Sequence, residues 1–162
     1  MRSDPFDRIA AKLRGGRYDE VVGELTDGKR IRPPFGSDCN HAWYLVGDAY
    51  ARSGRWEEAL AAFKKSVRSW PEDSEALWAV AGCYDSLGRP KLAERYYAAA
   101  LKLRPASCEL MFNLANVIAD QGRYRDAIRI YRKIRPKSGT FSRQVGRNLA
   151  LAEKSLATFD SD

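Results

Sequence analysis

The chain repeats itself. Residues 40–73, 74–107 and 108–141 lie over one another without gaps at a period of 34, which brings Gly54, Gly88 and Gly122 together, each followed by an arginine (Arg55, Arg89, Arg123). In the same frame Ala59, Ala93 and Ala127 coincide, as do Phe63, Tyr97 and Tyr131, then Tyr50, Tyr84 and Ile118, and finally Pro71 and Pro105. Self-similarity at such a period predicts a solenoid of stacked supersecondary units, because one unit alone cannot bury its apolar face.

Each unit reads as two helices. Trp43, Val46, Gly47 and Tyr50 recur at the i, i+3, i+4, i+7 spacing of one helix face, and Trp56, Ala59, Leu60 and Phe63 do so again. The glycine between them supplies the left-handed residue that ends the first helix and reverses the chain. Pro71 and Pro105 stop the second helices, and Asp73 and Ser107, one period apart, are placed to cap the next first helices. Gly47, Ala81 and Ala115 in the first helix and Ala59, Ala93 and Ala127 in the second remove bulk where the two backbones cross, while the aromatics at 50, 84, 63, 97 and 131 fill the remaining space.

At these residues the chain resembles the tetratricopeptide repeat family. Its pattern of Trp, Leu, Gly, Tyr, Ala, Phe, Ala and Pro is met in the first full unit by Trp43, Gly47, Tyr50, Ala59, Phe63 and Pro71, with Val46 in place of Leu and Ser66 in place of the last Ala. The second unit keeps Tyr84, Ala93, Tyr97, Ala100 and Pro105. The resemblance covers residues 40–141 and implies an all-α fold, a right-handed α-solenoid of stacked antiparallel helix pairs.

The ends depart from the pattern. Gly16-Arg17-Tyr18 echoes Gly54-Arg55-Trp56, and Phe6, Ile9, Ala10 and Leu13 form an apolar stripe ahead of it behind an Asp4-Pro5 helix start. The expected organisation is one continuous domain: residues 1–39 form a degenerate hairpin plus an insertion loop from Thr26 to Cys39. Repeats follow at 40–73, 74–107 and 108–141, then a capping helix and tail over 142–162. The cap begins after Thr140, where Val145, Leu149, Ala152 and Leu156 make an amphipathic stripe that covers the exposed end of the stack.

Composition excludes several classes. With 162 residues, 44% of them apolar, the chain suits one globular domain, and charges interrupt every apolar stretch long before a membrane span is reached. Acids at Asp4 and Asp7 and the lack of an early apolar run argue against a secretory signal and point to a cytoplasmic location. Cys39, Cys83 and Cys108 are too irregularly spaced for a disulfide framework or a zinc site, so reduced thiols and no metal are expected. Cys83 reads as a small core hydrophobe beside Tyr84. With a single histidine and no phosphate-binding loop, nucleophile elbow or metalloprotease motif, the chain predicts no catalytic residue and no cofactor. Cys39 and His41 lack a third orienting group, and a loop cysteine beside a surface histidine is the simpler reading.

The expected function is a protein-protein interaction scaffold or adaptor. In the resembled family the first helix of each unit lines a concave groove through unit positions 2, 5, 6, 9, 12 and 13. Position 5 holds Tyr44, Trp78 and Phe112, which suggests an aromatic ladder for a partner peptide or helix. The alternative is that these rings pack on neighbouring helices or lie under the chain's own Arg32-Pro33-Pro34-Phe35 insertion. Asn113 and Asn116 resemble the asparagine-bearing helices of the O-linked N-acetylglucosamine transferase repeats, where amides hold a peptide backbone. Tyr44 and Asp48 stand where a carboxylate clamp would carry Lys and Asn, which disfavours acidic chaperone C-termini.

Charge adds a second surface. Residues 1–81 hold 13 basic and 13 acidic side chains, residues 82–162 hold 15 and 8, so the whole net charge of +7 sits in the second half. Arg125, Arg129 and Arg132 follow i, i+4, i+7 on a second helix and predict a basic convex stripe, within a basic stretch that runs from Arg123 through Lys137 to Arg147. Arg143 and Arg147 are expected near the C-terminal mouth of the groove, placed to take a carboxylate or phosphate. No aromatics interleave the stripe for base stacking, so nucleic acid ranks below a protein partner. Two further readings remain: a secretion or export chaperone for apolar segments, and an RNA-associated adaptor that uses the stripe.

Overall fold

The computed structural model describes residues 4–136 and 139–159. Lys137 and the last part of the expected tail, residues 160–162, lie outside the described residues. The elements are α1 (Pro5–Arg14), α2 (Tyr18–Leu25), α3 (Cys39–Arg52), α4 (Trp56–Ser69), α5 (Ser74–Ser86), α6 (Pro90–Leu103), α7 (Cys108–Ala119), α8 (Tyr124–Tyr131) and α9 (Thr140–Phe159). Each helix packs chiefly on its neighbours in sequence, and α9 also reaches back to α7. The result is an all-α solenoid of stacked antiparallel helix pairs.

The repeated glycines do what their spacing predicts. Gly54, Gly88 and Gly122 adopt φ of 77°, 66° and 76°, and Gly16 in the first hairpin adopts 72°. After each repeat glycine the arginine N–H donates back to a helix carbonyl, Arg55 to Tyr50 at 2.9 Å, Arg89 to Tyr84 at 2.8 Å and Arg123 to Ile118 at 3.2 Å. This six-to-one bond closes the helix end and leaves the chain pointing backwards. It also explains why residues 50, 84 and 118 form one column of the repeat. The predicted caps are present: the Asp73 carboxylate accepts from the N–H groups of Glu75 at 2.9 Å and Ala76 at 3.1 Å, and the Ser107 hydroxyl accepts from Leu110 N–H at 3.3 Å.

Packing follows from the small residues. Ala59, Ala93 and Ala127 are fully buried at the crossings, beside Phe63, Tyr97 and Tyr131, each at most 4% exposed. Gly47 is the tightest point, since a β-carbon there would lie 2.6 Å from the Phe63 ring. The buried residues fall into two clusters. One joins α1 to α4 and the other runs from α4 to α9.

The insertion folds onto the first hairpin. Thr26 and Ile31 form an isolated antiparallel bridge, the Pro33–Pro34 bond is cis, and the Phe35 ring is buried 5.1 Å from that of Phe6. At the other end α8 has 8 residues where α4 and α6 have 14 each. Ile134, buried beyond the end of α8, extends its apolar surface toward α9. Among the described residues no helix is long and apolar enough to cross a membrane.

Candidate binding groove

The three position-5 aromatics do not form one exposed ladder. Trp78 on α5 is 39% exposed. Tyr44 on α3 is half-buried, with its ring 5.3 Å from Phe63, and burial pushes its hydroxyl up to about 12, with Asp48 and Glu75 adding to the shift. Phe112 on α7 is only 6% exposed, packed against Tyr131 at 6.1 Å and Phe141 of α9 at 5.4 Å. The expectation that Phe112 offers itself to a partner is therefore corrected: the capping helix covers it. The insertion plays no part in this, because its Phe35 is taken up against Phe6.

The two asparagines separate in role. Asn116 Oδ1 accepts from the Tyr131 hydroxyl at 2.5 Å and from Asn148 Nδ2 of α9 at 2.9 Å, so this side chain ties α7 to α8 and α9. Its own amide N–H groups stay unclaimed among the described residues. Asn113 is half-buried and its side chain has no hydrogen bond within the described residues, which leaves its amide available to a main chain. Asp48 is engaged by Arg52 of the same helix at 2.9 Å.

Beside Asn116 the inner face opens into a cleft of about 610 Å³, walled by Asp85 of α5, Asn116 and Ala119 of α7 with its C-cap Asp120, by Tyr124 and Tyr131 of α8, and by Asn148, Leu151, Ala152 and Ser155 of α9. Asp85 and Asp120 occupy groove positions 12 and 13, but residue type alone gave no reason to join them. The signal present in the sequence is that α5 and α7 contain no lysine or arginine, in a chain that has 28. Desolvation at the cleft wall, and then the charge of Asp120, raise the Asp85 carboxyl above its ordinary range.

Arg143 and Arg147 are exposed on α9 and contribute nothing to the cleft wall. The predicted basic stripe sits largely at the α8–α9 seam: Arg132 pairs with Glu153 of α9 at 2.8 Å, and Arg129 lies 3.6 Å from Asp126. Arg125 lines the same seam as Arg132, with Leu156 and Ala157 opposite. Cys39 donates to the Ser69 hydroxyl at 3.6 Å, while His41 is exposed with its ring against Phe6, so the two face different partners. Cys83 is buried in the core, and burial pushes its thiol up to about 11. Among the described residues no cluster of three or more His, Cys, Asp and Glu side chains is arranged to hold a metal ion.

Known proteins place this architecture. Superkiller complex protein 3 of Mus musculus is 29% identical over 92 residues, 57% of this chain and 6% of its own length. Tetratricopeptide repeat protein 37 of Xenopus laevis is 28% identical over 129 residues, 73% of this chain and 8% of its own. The chain thus spans less than a tenth of these relatives. Among solved structures, one of MamA superposes with a TM-score of 0.78 at 20% identity, over 99% of this chain and 89% of that one. The first repeat domain of Spaghetti (RPAP3), bound to an HSP90 peptide, gives 0.66 at 17% identity over 75% and 98%. The TPR2B domain of yeast Sti1, in a pHsp70 complex, gives 0.67 at 18% identity over 71% and 96%. A tetratricopeptide repeat model matches residues 32–74, 44–107 and 84–140, and with the glycine turns, caps and alanine crossings on the same residues, the chain belongs to the tetratricopeptide repeat family.

Proposed function

We propose that the chain is a non-enzymatic interaction scaffold that holds a peptide or helix of a partner protein on the inner faces of α3, α5 and α7. The observation that carries this reading is Trp78, a tryptophan 39% exposed in the middle of that surface while its counterpart at 44 is half-buried and the one at 112 is covered. A large ring left accessible among packed helices is the kind of anchor that dominates binding energy, typically about 2 kcal/mol or more on truncation. Asn113, at position 6 of the next unit and unpaired within the described residues, supplies an amide for a partner main chain. RPAP3 and Sti1 domains that hold HSP90 and Hsp70 partners lend support, because they share this fold.

The test is partner capture from cells by the full chain, compared between wild type, Trp78→Ala and Arg129→Ala. Loss of the same partners with Trp78→Ala alone is expected, at unchanged helicity. Identical captured proteins for wild type and Trp78→Ala would remove the groove as the functional surface.

A further inference from the structure

We infer that the groove takes a lysine- or arginine-bearing segment, with one cationic head lodged between Asp85 and Asp120 and its aliphatic stem lying along Leu151 and Ala119. The inference rests on the groove reading above and names the chemistry of the occupant.

Charge complementarity is the first argument. The protein carries net +7, yet its inner helices α5 and α7 hold no basic residue and present Glu75, Asp85 and Glu109, with Asp120 capping α7. A surface so unlike the rest of the molecule attracts cations and repels anions. The acids further along the groove are partly answered from within: Asp48 by Arg52 at 2.9 Å, Glu75 by Arg104 at 3.7 Å. Asp85 and Asp120 have no ion pair or side-chain hydrogen bond among the described residues.

Their placement is the second argument. Both sit at the C-terminal ends of inner helices, where the helix dipole presents negative charge and where no basic residue occupies the last turn. Each carboxylate works against the helix that carries it, and the charge of Asp120 adds to the cost of ionising Asp85. A bound cation relieves all of these terms at once.

The cleft supplies the third. Leu151 is 63% exposed although it projects into a concave wall, and Ala119 and Ala152 lie beside it. Long cationic side chains bury their methylenes on apolar surface and keep the head on polar groups. The Tyr124 ring and the free amide N–H groups of Asn116 complete a wall that suits such a side chain and its peptide backbone.

The experiment titrates isotope-labelled full chain, at physiological salt, with a synthetic amphipathic peptide carrying lysines and leucines at helical spacing, and separately with the same peptide bearing glutamates. The lysine peptide is expected to shift the amides of Asp85, Asn116, Asp120, Asn148 and Leu151. The glutamate peptide should leave them in place. Asp85→Asn with Asp120→Asn should weaken lysine-peptide affinity by about tenfold or more, the scale of a lost charge-assisted hydrogen bond, while the same charge change at Glu57→Gln with Glu72→Gln should not. Binding that is sensitive to Trp78→Ala but indifferent to the Asp85 and Asp120 changes, or equal binding of both peptides, overturns the cation site and leaves the groove reading standing. Failure of the lysine peptide to shift α5, α7 and α9 also overturns it, whereas the groove reading falls only with the cellular capture test.

Discussion

Replacing Gly47 with alanine tests whether the close crossing of α3 and α4 is the reason for glycine at that position. A β-carbon at 47 would stand 2.6 Å from Cδ1 and Cε1 of Phe63 and 2.8 Å from Cγ. Carbon atoms are comfortable at about 3.5–4.0 Å, so the ring must retreat by roughly 1 Å. It has nowhere to go: Phe63 is 4% exposed and lies against the Tyr44 ring at 5.3 Å. Overpacking of this kind costs about 1–3 kcal/mol, and the gain in helix propensity from glycine to alanine returns about 1 kcal/mol. Gly82 in α5 is the control, because its added β-carbon would meet only the Tyr97 hydroxyl, at 3.7 Å. Gly82→Ala should therefore gain the propensity term with no steric cost. The two variants should differ by about 1–3 kcal/mol, with Gly47→Ala the less stable. Urea unfolding followed by circular dichroism reads the difference as a shift in midpoint. Phe63→Leu should remove most of the penalty of Gly47→Ala, giving a coupling energy of about 1 kcal/mol or more. A midpoint for Gly47→Ala at or above that of Gly82→Ala would refute the steric account.

Phe112→Ala should lower stability by about 3–5 kcal/mol through the cavity it leaves under α9; thermal melts should show a large loss, and an unchanged melt would place this ring on the surface instead. Removing residues from Thr140 onward uncovers Phe112 and Tyr131, so the unfolding free energy should fall by at least about 2 kcal/mol and a hydrophobic dye should bind; a full-stability, monodisperse truncation would deny α9 its capping role. The Asp85 carboxyl, raised by desolvation and by Asp120, holds its proton more tightly when folded, so its unfavourable contribution is present at neutral pH and disappears as pH falls through its folded value. Asp85→Asn should accordingly exceed wild type in stability near neutrality, by an amount that solvent screening keeps small, and the gap should close as pH falls through the raised folded value; a gap that widens on acidification contradicts the sign.

The repeat alone determined the helices, their turns and their caps, because each rests on chemistry a few residues long. A glycine after one apolar stripe and an arginine N–H reaching back five residues work the same way in all three repeats, and Asp73 and Ser107 cap the first helices of the second and third. Periodicity likewise set the direction in which Tyr44, Trp78 and Phe112 point, since residues one period apart share a register. Whether each ring is covered is a matter of neighbours, which the period does not encode. Tyr44 meets Phe63, Phe112 meets Phe141 of the capping helix α9, and Trp78 keeps part of its surface in water. The Asp85–Asp120 cleft is tertiary in the same sense, because its far wall is α9 and no local pattern brings residues 85, 120 and 151 together. Register is decided by local geometry, but exposure is decided by what the rest of the chain lays on top, and at the end of a solenoid that covering element comes from beyond the repeat.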